Sequence, residues 1–157
     1  MVAYSFQPRF EDALRAGLQP GPWQPGMKRS TLRPPARKAS RHARVHGPIS
    51  LYTGLRKPGA RLVGKSKCVL VQRARLMCGP DGLWLAFASG STCATAPDFL
   101  PPVLWALLAD PASADIEAVA QAEGFDDAAQ MEAFFRPPMA RKTWMRELVM
   151  IAWKPAT

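Results

Sequence analysis

Gly26-Met27-Lys28-Arg29-Ser30-Thr31-Leu32-Arg33 brings a flexible glycine, an amine, hydroxyls and guanidinium groups together in one short stretch. Read as extended chain with Leu32 inward, side-chain alternation puts Lys28, Ser30 and Leu32 on one face and Arg29, Thr31 and Arg33 on the other. Read with a turn at Gly26 or Met27, the same residues send Lys28, Thr31 and Arg33 into one pocket. Periodicity alone does not choose between the two, so the flanks must. Upstream, 18–26 carries three prolines, two glycines and Trp23 and reads as loop. Trp23 there is either a lid that stacks on a base or an apolar plug. Downstream, Pro34-Pro35 stops regular structure and opens a long basic loop with Arg37, Lys38, Arg41, His42, Arg44 and His46.

Charge along the chain is strongly segregated. The net charge is +9, with fourteen Lys or Arg and no acid from Lys28 to Arg75, then nine acids and no Lys or Arg from Leu76 to Phe135. A basic run without internal neutralising partners suits phosphate or nucleic-acid contact; the competing reading is a solvated basic face that only keeps the protein soluble. The three cysteines, Cys68, Cys78 and Cys93, lack C-x-x-C spacing, which argues against a disulfide framework and a four-ligand zinc site. His42 and His46 have helical ligand spacing but no third ligand nearby, so neither metal nor cofactor is expected. The N-terminus has no signal-peptide pattern, and the apolar stretch 99–109 is broken by Pro101 and Pro102 and too short for a bilayer. The expectation is a soluble, cytoplasmic, single domain over 1–157.

The remaining segments predict a mixed architecture. Residues 2–6 form a first strand, and Phe10, Ala13, Leu14 and Gly17 recur at helical spacing in a short helix ending at Gly17. Strands are expected at 49–53, 67–76 and 83–88, the last two joined as a hairpin through Gly79-Pro80-Asp81-Gly82. Within 67–76, Cys68, Leu70, Gln72, Ala74 and Leu76 share one face. A short buried helix falls in 98–109. Asp110-Pro111 is expected to cap a helix running to about Ala122 and stopping at Gly124. Asp126 or Asp127 caps another helix with Ala128, Met131, Phe134 and Phe135 on its buried side. Residues 147–153, apolar on both faces, read as a central strand. The fold class is α+β, with 49–53, 67–76, 83–88 and 147–153 curling into a small mixed β-barrel and helices on one side.

Gly26-x-Lys28-x-x-Thr31-x-Arg33 resembles the G-x-K-x-x-T-x-R signature of the ASCH family, whose fold is a PUA-like barrel. Tyr4-Ser5-Phe6, Arg41-His42-Ala43-Arg44, Leu51-Tyr52-Thr53-Gly54-Leu55-Arg56 and Glu123-Gly124-Phe125 follow in the order of phage and bacterial ASCH proteins. Two segments depart from compact members: 18–26, which separates Gly17 from Gly26, and 92–112. The resemblance implies a cleft at the barrel mouth for RNA or a nucleotide. Some small members hydrolyse the amide of N-acetylcytidine, and by position their catalytic residues fall on Lys28, Thr31 and Glu123.

The residues themselves allow that chemistry. Thr31 needs a base to become nucleophilic, and Lys28 can serve if burial and the neighbouring Arg29 and Arg33 lower its pKa. Glu123 would protonate the leaving amine and Arg33 would hold an oxygen. A binding module is the competing reading, with Arg29, Arg37, Lys38, Arg41 and Arg44 on phosphates and Trp23 or Tyr52 stacking on bases. A protein-interaction domain with an acidic partner is the third. A metal-dependent nuclease ranks last, because the acids lie apart from the basic half.

Overall fold

The structure, a computed structural model, describes residues 1–35, 42–88, 98–110 and 115–156. Six strands among these residues form one mixed sheet: β1 (Val2–Phe6), β2 (Ser30–Arg33), β3 (Pro48–Thr53), β4 (Arg61–Gly79), β5 (Gly82–Phe87) and β6 (Trp144–Trp153). The order is β1-β3-β4-β6-β2, with β5 beside β4. Four α-helices accompany it among the described residues: α1 (Glu11–Gly17), α2 (Pro102–Ala109), α3 (Ile116–Ala122) and α4 (Ala128–Phe135).

The long strand β4 organises the sheet. Its first part pairs antiparallel with β3, and from Cys68 onward it pairs with β6 and then also with β5. The expected face is the buried one: Cys68, Leu70, Gln72, Ala74 and Leu76 point inward, while Lys67, Arg73 and Arg75 are exposed. The strand starts six residues earlier than its alternation suggested, at Arg61 instead of Lys67. Pairing with β3 holds this half, although Leu62 is exposed and Gly64 interrupts the pattern. Strand β6 is central as expected. It lies between β4 and β2, and every residue from Leu148 to Trp153 is buried.

The expected closed barrel is replaced by a sheet open between its end strands. Strand β1 pairs in parallel with β3 and β2 pairs antiparallel with β6, but no backbone ladder joins β1 to β2. A side chain crosses that seam instead: Arg33 Nη2 donates to the Ser5 carbonyl at 2.7 Å.

The helix boundaries carry one correction. Asp115, not Asp110, caps α3, its carboxylate accepting from the Glu117 and Ala118 amides. Asp110 instead ends α2, donating its backbone N–H to the Ala106 carbonyl. Pro111 lies outside the described residues. Asp127 caps α4 as expected, accepting from the Gln130 amide at 2.7 Å, while the Gln130 side chain accepts from the Asp126 amide at 2.9 Å. Phe134 departs from its expected buried position and is half exposed at the edge of an aromatic group with Phe125 and Phe135. Helices α2 and α3 pack on β5 and α1 on β4. Among the described residues no helix is long and apolar enough to cross a membrane. Cys68 and Cys78 are free thiols, and Cys93 lies outside the described residues.

Candidate active site

The octapeptide begins beside the helix the chain has just left. The Lys28 amide donates to the Ala13 carbonyl at 2.9 Å, and Gly17 lies so close that a Cβ there would sit 2.1 Å from the Lys28 carbonyl oxygen. The Trp153 amide then accepts Arg29 into the sheet by donating to its carbonyl at 3.0 Å, and β2 follows. Strand β6 occupies one edge of β2, so the Leu32 amide faces the other way and needs a partner from elsewhere.

That partner comes from the end of α3. The Phe125 amide donates to the Ala120 carbonyl and the Gly124 amide to the Gln121 carbonyl, a Schellman ending that requires the left-handed φ of 87° at Gly124. The turn leaves Glu123 pointing back at β2. Its Oε2 accepts the Leu32 amide at 3.0 Å, and its Oε1 accepts the Ser30 hydroxyl at 2.5 Å. Lys28 Nζ lies 3.3 Å from Glu123 Oε2 and also donates to the Glu123 backbone carbonyl. An ammonium at the C-terminal end of α3 meets the negative end of the helix dipole, so both contacts favour a cation there.

This pair is out of water: Lys28 is 3% and Glu123 2% exposed. Burial pushes the Lys28 ammonium below its ordinary pKa; Glu123 pulls it upward, and the cations Arg33 and Arg9 add to the lowering. Phe10 and Phe6 flank the ammonium, their ring centroids 5.2 and 5.9 Å from Nζ.

Lys28, Thr31, Arg33 and Glu123 line a single cavity of about 300 Å³ walled by Phe6, Phe10 and Phe125. The alternative with a turn before Lys28 is therefore the one adopted, and Met27 closes that turn by donating its amide to the Gln24 carbonyl at 3.0 Å. Thr31 is buried and its hydroxyl has no hydrogen-bond partner among the described residues. Arg33 lies over the Phe6 ring at 4.5 Å.

Several expected ligand contacts fall elsewhere. Arg29 is fully buried and cannot meet phosphate. Its guanidinium donates to the carbonyls of Gly17, Gln19, Gly21 and Phe99 at 2.7–2.9 Å, clasping the proline-rich loop. Arg29 precedes β2 and does not share the face of Thr31 and Arg33 that simple alternation would give it; the carbonyls of that loop are what it finds. Trp23 is anchored by an Nε1 bond to the Met27 carbonyl at 2.9 Å and lines a separate cavity with Pro101 and Pro102. It does not face the Lys28 cavity. Tyr52 is half-buried on β3 and also lies off that cavity, whereas Arg44 is exposed. Arg37, Lys38 and Arg41 lie outside the described residues. His42 donates through Nε2 to the Pro34 carbonyl at 3.1 Å, and no group of metal-ligating side chains forms among the described residues.

Three participants carried no role in the sequence reading: Ser30, Ser5 and Lys57. Ser30 stood inside the motif, but only the approach of Glu123, 93 positions away, gives its hydroxyl a partner. Comparison with family models, with curated proteins and with solved structures finds no match.

Proposed function

We propose that the chain is an ASCH-type amidohydrolase acting on an N-acylated pyrimidine nucleoside such as N-acetylcytidine. The observation that carries this reading is the buried Lys28–Glu123 pair opening with Thr31 onto one aromatic-walled cavity. At about 300 Å³ the space is at the small end for ligand sites and suits one nucleoside better than an extended strand. The open mixed sheet is read as a PUA-like barrel left unlaced along the β1–β2 seam.

In this mechanism Lys28 acts as the amine. Burial enlarges its neutral fraction, and the neutral amine takes the Thr31 hydroxyl proton as Oγ1 attacks the acyl carbon. The C–N bond then breaks, and the proton on Lys28 passes to the departing nucleobase amine. Water, deprotonated by the same lysine, attacks the Thr31 ester; Lys28 returns that proton to the departing Thr31 Oγ1, and the carboxylic acid is released. Glu123 has a narrower part than leaving-group acid. Its oxygens are occupied by Ser30, Leu32 and Lys28, so it positions the ammonium. Taking the proton leaves Lys28 as an ammonium, whose positive charge stabilises the developing oxyanion.

Incubation with N-acetylcytidine, with chromatography of cytidine and acetate, tests the reading. Release of both by the wild type and its loss in Thr31→Ala is the expected result; full activity in that variant removes Thr31 as nucleophile.

A reading as a binding module for RNA or a nucleotide rests on the exposed cations Lys57, Lys65, Lys67, Arg73 and Arg75 in the acid-free run. It requires RNA affinity that falls steeply with salt. Binding insensitive to salt counts against it.

A further inference from the structure

We propose that the ligand of the Lys28 cavity is phosphorylated, a nucleoside monophosphate whose phosphate seats on Arg33 and Lys57. The nucleoside part rests on the function proposed above; the phosphate rests on unspent charge. Four ionic side chains line the cavity, and Glu123 is paired with Lys28. Arg33 and Lys57 have no carboxylate within ion-pair distance among the described residues.

Arg33 is under-used. A guanidinium has five N–H donors. Arg29, four residues earlier, directs its own to four backbone carbonyls. Among the described residues Arg33 makes one hydrogen bond, from Nη2 to the Ser5 carbonyl. Among the described residues its Nε is closed from solvent without a partner, and Nη1 has no partner and is not among the atoms closed from solvent. The same stretch of chain thus satisfies one buried arginine and leaves donors on the other free for a ligand oxygen.

Ser5 ties the second cation to the first. Its carbonyl holds Arg33, and its hydroxyl accepts the Leu55 amide at 3.0 Å. The Gly54 amide donates to the Phe6 carbonyl and the Lys57 amide to the Gly54 carbonyl, folding 54–57 against β1. Arg56 sits at φ 76° within this turn, a left-handed conformation that long side chains rarely adopt. The turn brings Lys57 to the cavity that Arg33 lines. A planar fork beside a flexible ammonium is the pairing that recognises a phosphate monoester, whose two charges it balances.

Calorimetric titration of the full chain with cytidine, cytidine 5′-monophosphate, inorganic phosphate and acetate tests this. The monophosphate is expected to bind roughly tenfold or more tightly than cytidine, the worth of one charge-assisted contact. Inorganic phosphate should compete with it. Lys57→Ala, at an exposed position, should remove most of that preference with little effect on folding. Equal affinity for the two cytidine compounds, or an unchanged preference in Lys57→Ala, overturns the proposal. Acetate competing as well as phosphate reassigns the subsite to a carboxylate and overturns it too. Deacylation that ignores the 5′-phosphate defeats this inference and leaves the amidohydrolase standing; preference for the monophosphate without any deacylation does the reverse.

Discussion

Glu123 Oε2 accepts the backbone N–H of Leu32 at 3.0 Å, so a side chain from the end of α3 fills the place a neighbouring strand would take on β2. The same carboxylate meets Ser30 and Lys28. Cutting it back to Glu123→Ala strands three buried polar groups at once. We expect a loss of about 3–5 kcal/mol in unfolding free energy, the cost typical of breaking a buried pair. Glu123→Gln keeps an acceptor and should lose less. Urea titration of both variants decides; an alanine variant within 1 kcal/mol of wild type, roughly the worth of one ordinary hydrogen bond, would show that the carboxylate does not hold β2.

Lys28 makes stability depend on pH with a definite sign. Its folded pKa lies below the ordinary 10.5 because burial disfavours the ammonium. Between that lowered value and 10.5 the unfolded chain binds one more proton than the folded chain. Stability contributed here is full above the unfolded value and is lost as pH falls through the folded one. The unfolding free energy of wild type minus that of Lys28→Met should therefore climb with pH, by at most about 1.4 kcal/mol per unit. Denaturant curves at a series of pH values up to 10.5 measure it, and a falling difference would mean that Glu123 outweighs burial. Under the proposed mechanism, whose base is the neutral amine, deacylation should rise over the same window.

Arg29 belongs to the fold and not to a phosphate contact. Arg29→Met leaves the Gly17, Gln19, Gly21 and Phe99 carbonyls without their donor. A loss of about 2 kcal/mol or more is expected, with faster proteolysis inside 18–26. Unchanged melting and protease resistance would contradict the clasp.

The two glycines flanking the proline-rich loop should respond differently to alanine. At Gly17 the new methyl would meet the Lys28 carbonyl at 2.1 Å, so helix or strand must shift. At Gly26 nothing lies within 4 Å, but φ is +90°. Gly26→Ala should cost about 1–2 kcal/mol in backbone strain, and Gly17→Ala more, with reduced activity because Lys28 moves. Thermal melts and deacylation rates compare them directly.

Patterning in the chain announced β1, α1, the β4–β5 hairpin, β6 and α4, because each has its own alternation, helical spacing or cap. Strand β2 was harder. Four residues ahead of Pro34-Pro35 have too little pattern, and the segment is a strand because β6 offers it an edge. Local pattern also could not reveal the parallel pairing of β1 with β3 or the open seam crossed by Arg33. Within the site, Lys28, Thr31, Arg33 and Glu123 were named from the motif and its distant glutamate. Arg29 looked equivalent to Arg33 by charge, yet one faces the loop carbonyls and the other the cavity. Which is which depends on the turn before Lys28, whose closing bond is from Met27 to Gln24.

Gly17 touching Lys28 changes what the proline-rich segment means. Eight residues separate Gly17 from Gly26 along the chain, yet the path leaves α1 and returns to the same spot. Lengthening or trimming such a detour leaves its two ends where they were. The length of 18–25 is therefore set by the loop itself, while the distance from α1 to Lys28 is set by one glycine that has no room for a methyl group.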